Sequence, residues 1–107
     1  MSRSYGWCWL FGADAALIRL AADPLYPTIV RATALDLLRQ YPGAEATRAI
    51  NTALQDEEAL IRYTAASSLN ATDPAELVDL VAPLLFDPTR AVRGQAAVRL
   101  AAVSRDL

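Results

Sequence analysis

Three arginines, Arg31, Arg62 and Arg93, stand 31 residues apart, and each follows an aspartate, Asp23, Asp56 or Asp87. Arginine and aspartate at a fixed spacing support one of two chemistries. The planar guanidinium fork can bond the carboxylate and nearby loop carbonyls, or it can be left to hold an anion such as phosphate. Asp56 and Asp87 precede their arginines by six residues and Asp23 by eight. A carboxylate therefore accompanies every arginine, and stacking would line the aspartates beside the arginines as a structural ladder. Asp73, Glu76 and Asp79 form a second acidic group at three-residue steps. Its first two members read as a helix cap, and nothing marks a pocket that would hold two carboxylates as a catalytic pair. The chain has no histidine, which removes Ser–His and Cys–His nucleophiles, His-ligated metals and the usual haem attachment sequence. Cys8 lies between Trp7 and Trp9, an apolar setting that does not activate a thiol, and as the one cysteine it has no disulfide partner within the chain. The expectation is a noncatalytic protein without a cofactor.

The chain has 107 residues, 54% of them apolar, including 22 alanines and 16 leucines, which suffices for one core and argues against disorder. All ten basic residues are arginines, against twelve acidic residues, and the pI is about 4.9. That balance disfavours nucleic acid, which asks for a basic face. Arg90, Arg93, Arg99 and Arg105 make only a small patch. Charges interrupt every window long enough to span a membrane. The apolar run at 7–11 is too short and too aromatic for a signal peptide. The lack of a disulfide pair is compatible with a cytoplasmic location.

The elements that must carry these residues are helices. Apolar residues recur at three- and four-residue steps over 13–22, 29–38, 44–54, 60–69, 77–85 and 92–103. Breaks carrying Pro, Gly, Asp or Asn separate them. Asp73-Pro74-Ala75-Glu76 combines a capping acid, a proline at the first helical position and a glutamate three residues on. Pro83 falls inside the fifth helix and predicts a kink there, since the carbonyl of Asp79 loses its amide.

The helices repeat. Ile29–Leu35, Leu60–Ala66 and Ala91–Ala97 align around the three arginines, and Leu38, Leu69 and Leu100 each follow by seven. A two-residue insertion near Leu25-Tyr26-Pro27 offsets the first unit. Two helices in a 31-residue period make a solenoid, whose units bury each other's apolar faces. The pattern Asp–x5–Arg–x2–Ala–Ala–x2–Leu resembles HEAT repeats, in particular the short bacterial and phycobilin-lyase type. The run from Leu20 to Leu35 is also similar to HEAT segments of bacterial multihaem cytochrome proteins, although this chain has none of their haem motifs. The resemblance covers about residues 13–103. It implies an all-α, right-handed α-solenoid of about three helix pairs: a domain over 13–107 with repeats at 13–42, 43–72 and 73–107, behind an N-terminal segment, 1–12. It also implies a noncatalytic interaction or scaffold module for a protein or peptide. The alternatives are an accessory domain or subunit of a larger enzyme or cytochrome that positions a chromophore or partner, and, third, a DNA-binding module.

In such a solenoid the second helix of each pair lines the binding side. Counted from the arginines, positions −1, +3, +4 and +7 are apolar; +2, +5 and +6 face away from them. Tyr63, Ser67, Gln95 and Arg99 are the candidate contact residues, Tyr63 standing between Ala32 and Gly94 in neighbouring repeats. Its ring is either a contact point or a cover for the Gly94 backbone. Trp7, Trp9, Leu10 and Phe11 form an apolar cap on the first repeat, or a homodimer contact, or a leader.

Overall fold

The computed structural model describes residues 13–41, 43–70 and 73–106, the last three by backbone alone. Residues 1–12, with Cys8 and the four candidate cap residues, lie outside the described residues. Among the described residues six α-helices follow one another: α1 (13–22), α2 (Thr28–Leu38), α3 (Ala44–Ala53), α4 (Ala59–Ser68), α5 (Pro74–Val81) and α6 (Arg90–Asp106). No strand occurs among the described residues.

Local chemistry sets the ends. The Asp73 carboxylate accepts from the Ala75 amide at 3.1 Å, with Pro74 as the first helical residue of α5. At the start of α3, Gly43 has φ +131°, a conformation in which a side chain is strained, and its carbonyl accepts both the amide and the hydroxyl of Thr47. Pro83 acts differently from the expected kink. The α-helix stops at Val81 and the chain tightens into a 3₁₀ helix, Ala82–Phe86, whose bonds span three residues. Without an N–H at Pro83, the four-residue ladder cannot continue, and the tighter winding carries the chain to Asp87.

The even-numbered helices stack side by side, α2 on α4 and α4 on α6, while α3 and α5 pack behind them. The result is a slab with Cα extents of 46 × 34 × 16 Å. Its thickness is that of two helix layers, whose axes lie about 8–10 Å apart. Positions −1, +3, +4 and +7 of the middle repeat, Ile61, Ala65, Ala66 and Leu69, are all buried. The alanine at +3 recurs as Ala34, Ala65 and Ala96, none more than 2% exposed, and its small side chain lets the two layers approach. Leu35, Leu38, Val81 and Val92 complete the fully buried centre with Ile61.

The two described glycines are expected to respond oppositely to an added methyl group. A Cβ at Gly94, within α6, meets nothing within 4 Å. Gly94→Ala is expected to stabilise by about 0.5–1 kcal/mol. Gly43→Ala also finds open space, but its positive φ should cost about 1 kcal/mol or more. Urea denaturation of both variants checks the contrast.

Candidate functional site

The arginine–aspartate ladder assembles at the loops between paired helices. Each aspartate first shapes its own loop by accepting the amide two residues on. Asp23 takes Leu25, Asp56 takes Glu58 and Asp87 takes Thr89, at 2.8–2.9 Å. These are Asx turns, and they leave carboxylate oxygen for a second donor. That donor comes from the preceding repeat. Arg62 reaches Asp87 through two bonds, Nε to Oδ2 at 2.6 Å and Nη2 to Oδ1 at 3.1 Å. Arg31 pairs likewise with Asp56. The same guanidinium holds its own loop as well. Arg62 Nη1 donates to the carbonyls of Asp56 and Glu57, at 2.8 and 2.9 Å. Arg93 Nη1 donates to the Asp87 carbonyl at 2.7 Å. In the first repeat, where the insertion shifts the loop, Arg31 Nε donates to Ala21 instead.

The ladder thus differs in register from the sequence expectation. Each rung joins an arginine to the aspartate of the following unit, so Asp23 meets no arginine among the described residues. Asp56 and Asp87 are nodes at which two repeats are tied to one loop. The rungs are well shielded: side-chain exposure is 14% for Arg62 and 5% for Asp87. The bonds from Arg62 hold the Asp87 carboxyl below its ordinary range, helped by the Thr89 amide and opposed by desolvation.

The candidate contact residues divide. Arg99 Nη2 crosses to the Leu69 carbonyl at 2.6 Å, so it closes the end of α4. Ser67 donates back to the Thr64 carbonyl at 2.9 Å. Gln95 is half-buried. Thr64 and Ser68, expected to face away, are instead buried. Position +6 of α6 thus reaches the preceding repeat through Arg99. Tyr63 is exposed, and nothing lies within 4 Å of where a Cβ at Gly94 would stand.

What remains outward on the second helices is the face opposite the first layer, at positions −2, +1 and +5. It carries Ile29, Leu60, Tyr63 and Val98, exposed by 65, 42, 37 and 61%. Sequence reasoning singled out Tyr63 and passed over the other three as candidate contacts. The missed signal was large apolar residues at positions directed away from the core.

The other polar groups converge on no chemistry. Asp73 is used as a cap, and Glu76 and Asp79 are exposed. Among the described residues no group of three Asp, Glu or Cys is placed to hold a metal ion, and no helix is long and apolar enough to cross a membrane. A dent of about 430 Å³ lies between α1 and α3, with Glu45 and Arg48 at its wall.

A family model described as HEAT repeats matches residues 14–102. No curated protein and no solved structure matches the chain. The comparisons show the repeat family itself and not the likeness to phycobilin-lyase or cytochrome-associated repeats.

The register of the rungs has measurable consequences. Removing one partner of this part-buried, charge-assisted pair is expected to cost about 1–3 kcal/mol, so Arg62→Ala and Asp87→Ala should both be destabilised. Asp23→Ala, which breaks no rung, should lose only its turn, about 1 kcal/mol. A lowered folded pKa adds stability that is complete above the unfolded value of 3.8 and is lost as pH falls through the folded value. Thermal midpoints measured downward from pH 4 should therefore fall more steeply for the wild type than for Asp87→Asn.

Proposed function

The chain belongs to the HEAT-repeat family, and on that premise we propose that it is a noncatalytic scaffold that binds a protein partner along the outward face of α2, α4 and α6. Repeats of this family generally mediate protein–protein interaction. The observation that carries the reading is the row of Ile29, Leu60, Tyr63 and Val98, large apolar side chains left exposed in all three repeats. Exposed apolar groups aligned along one face mark interaction surfaces, and tyrosine is enriched among residues that dominate binding. Tyr63 sits on the middle helix of the three, where a bound segment would cross it whichever end it entered from. Gly94 beside it leaves room for partner backbone. Gln95 and Ser67 flank this row and contribute polar contacts at its edge. Arg99 supports the surface from below by fixing the end of α4.

The interaction is electrostatically quiet. The net charge is −2, and Arg31 and Arg62 are consumed by rungs. Binding through this face should therefore vary little with salt, unlike phosphate recognition.

Affinity capture with the wild-type chain as bait tests the face. Tyr63→Asp and Val98→Asp are expected to reduce recovery of the retained protein at least about tenfold, with unchanged denaturation midpoints. Arg48→Glu, on the exposed side of α3, should retain it fully. Loss with Arg48→Glu, together with indifference to Tyr63 and Val98, would move binding to the first layer and overturn the proposal.

A further inference from the structure

The rungs are complete at two seams, and two halves of a rung stand open. Arg31 takes Asp56 and Arg62 takes Asp87, while among the described residues Arg93 meets no carboxylate and Asp23 no arginine. Each open half already has the form it takes in a finished rung. Arg93 Nη1 holds the Asp87 carbonyl at 2.7 Å, as Arg62 Nη1 holds the Asp56 carbonyl at 2.8 Å. Arg62 grips both oxygens of Asp87 with Nε and Nη2, and on Arg93 the same two atoms have no acceptor among the described residues. The Asp87 carboxylate is spent, since one oxygen accepts Arg62 Nε and the other Arg62 Nη2 and the Thr89 amide. Asp23 accepts the Leu25 amide at 2.9 Å, in the same turn that presents Asp56 and Asp87 to their arginines.

Burial on the second helices is divided in the same way. Position −1 is Val30, Ile61 and Val92, exposed by 37, 0 and 0%. Position +4 is Leu35, Ala66 and Ala97; the first two are 0% exposed, and Ala97 is exposed. Position −1 is thus closed in α4 and α6, each of which has an earlier second helix beside it. Position +4 is closed in α2 and α4, each of which has a later one. The open −1 side of α2 goes with the open aspartate, and the open +4 side of α6 with the open arginine.

We propose that the chain binds a second copy of itself head to tail, α6 of one copy against α2 of the other, with Arg93 of one on Asp23 of the other. Charge and shape together select this occupant. A free carboxylate would satisfy Arg93 and leave Ala97 bare. An apolar helix would cover Ala97 and leave a half-buried guanidinium without its anion. An aspartate held in a turn next to an open −1 position answers both needs, and the α1–α2 loop and α2 carry that combination. The contact repeats the relation that α2 has to α4 and α4 to α6. It also leaves the outward row free. Leu60 and Tyr63 remain 42 and 37% exposed on α4, which has a second helix on either side, so Ile29 and Val98 keep their exposure likewise. Because the two faces differ, each copy retains an open one after the first contact, and association continues past two.

Sedimentation velocity of the purified chain over a range of concentrations tests this. The average mass is expected to climb past twice 11.6 kDa as concentration rises. Asp23→Asn keeps an acceptor for the Leu25 amide and removes the charge, and Arg93→Gln removes the guanidinium. Each should raise the concentration needed for association at least about tenfold, with an unchanged helix signal in circular dichroism. Exchanging charges reads the pairing itself. Asp23→Arg and Arg93→Asp should each stay monomeric alone and associate when mixed, because each altered position then meets its opposite charge on the other variant. A mass of 11.6 kDa at every concentration would overturn the proposal. So would a mass that stops at two copies, or association that substitutions at Asp23 and Arg93 leave unchanged.

Discussion

A guanidinium taken out of water must find several acceptors at once, and the geometry of each seam follows from that requirement. An arginine has five N–H donors and no way to shed its charge. Arg62 satisfies four contacts across two loops: two carbonyls of its own repeat and both carboxylate oxygens of the next. The cost of desolvating such a pair is several kcal/mol per ion, and attraction offsets it only when the match is close. A seam displaced by one helical residue would leave both charges buried and unpaired. Apolar contacts between helices rich in alanine discriminate poorly among such displacements, because one methyl group fits where another did. The rungs therefore choose among packings that burial alone would leave similar in energy.

The same requirement explains which parts of the fold could be read from the sequence. The 31-residue period, the six helices and the cap at Asp73 are local or strictly repeated, and they were legible. The residues of the ladder were legible too, since Arg and Asp recur at every unit. Their pairing was not. Spacing within one repeat shows Asp56 six residues ahead of Arg62, and that proximity is real, but it is the backbone carbonyl of Asp56 that Arg62 uses. The carboxylate belongs to Arg31. Nothing in a linear period says whether a side chain points along its own loop or across to the next.

Thr64 and Ser68 were misread for a related reason. A helical wheel has one buried direction when a helix packs on one neighbour. The middle helix of a stack has three: toward its partner in the other layer, toward the repeat before and toward the repeat after. Position +6 of α6 falls on the second of these, through Arg99. Position +6 is Leu37, Ser68 and Arg99 in successive repeats, three unrelated side chains that no apolar pattern would link. Each suits a different circumstance. Ser68 is small enough to be fully buried, and Arg99 is long enough to reach the end of α4. Leu37, at the same place, lies on a face that no described helix covers.

With three directions committed, α4 has a single face left on which residues are free of packing duties. Apolar side chains on the other three faces are explained by burial, so they carry no functional information. Those at −2, +1 and +5 are not explained in that way, and each exposes apolar surface to water at a loss of roughly 25 cal/mol per Å² relative to burying it. Leu60 and Tyr63 on α4 and Val98 on α6 stand on this face. The two layers, the rungs and the small alanines hold these side chains in a fixed row, so a partner meets them without first having to order them. That preorganisation lowers the entropic cost of association. On the proposed reading, this is how the face binds through shape.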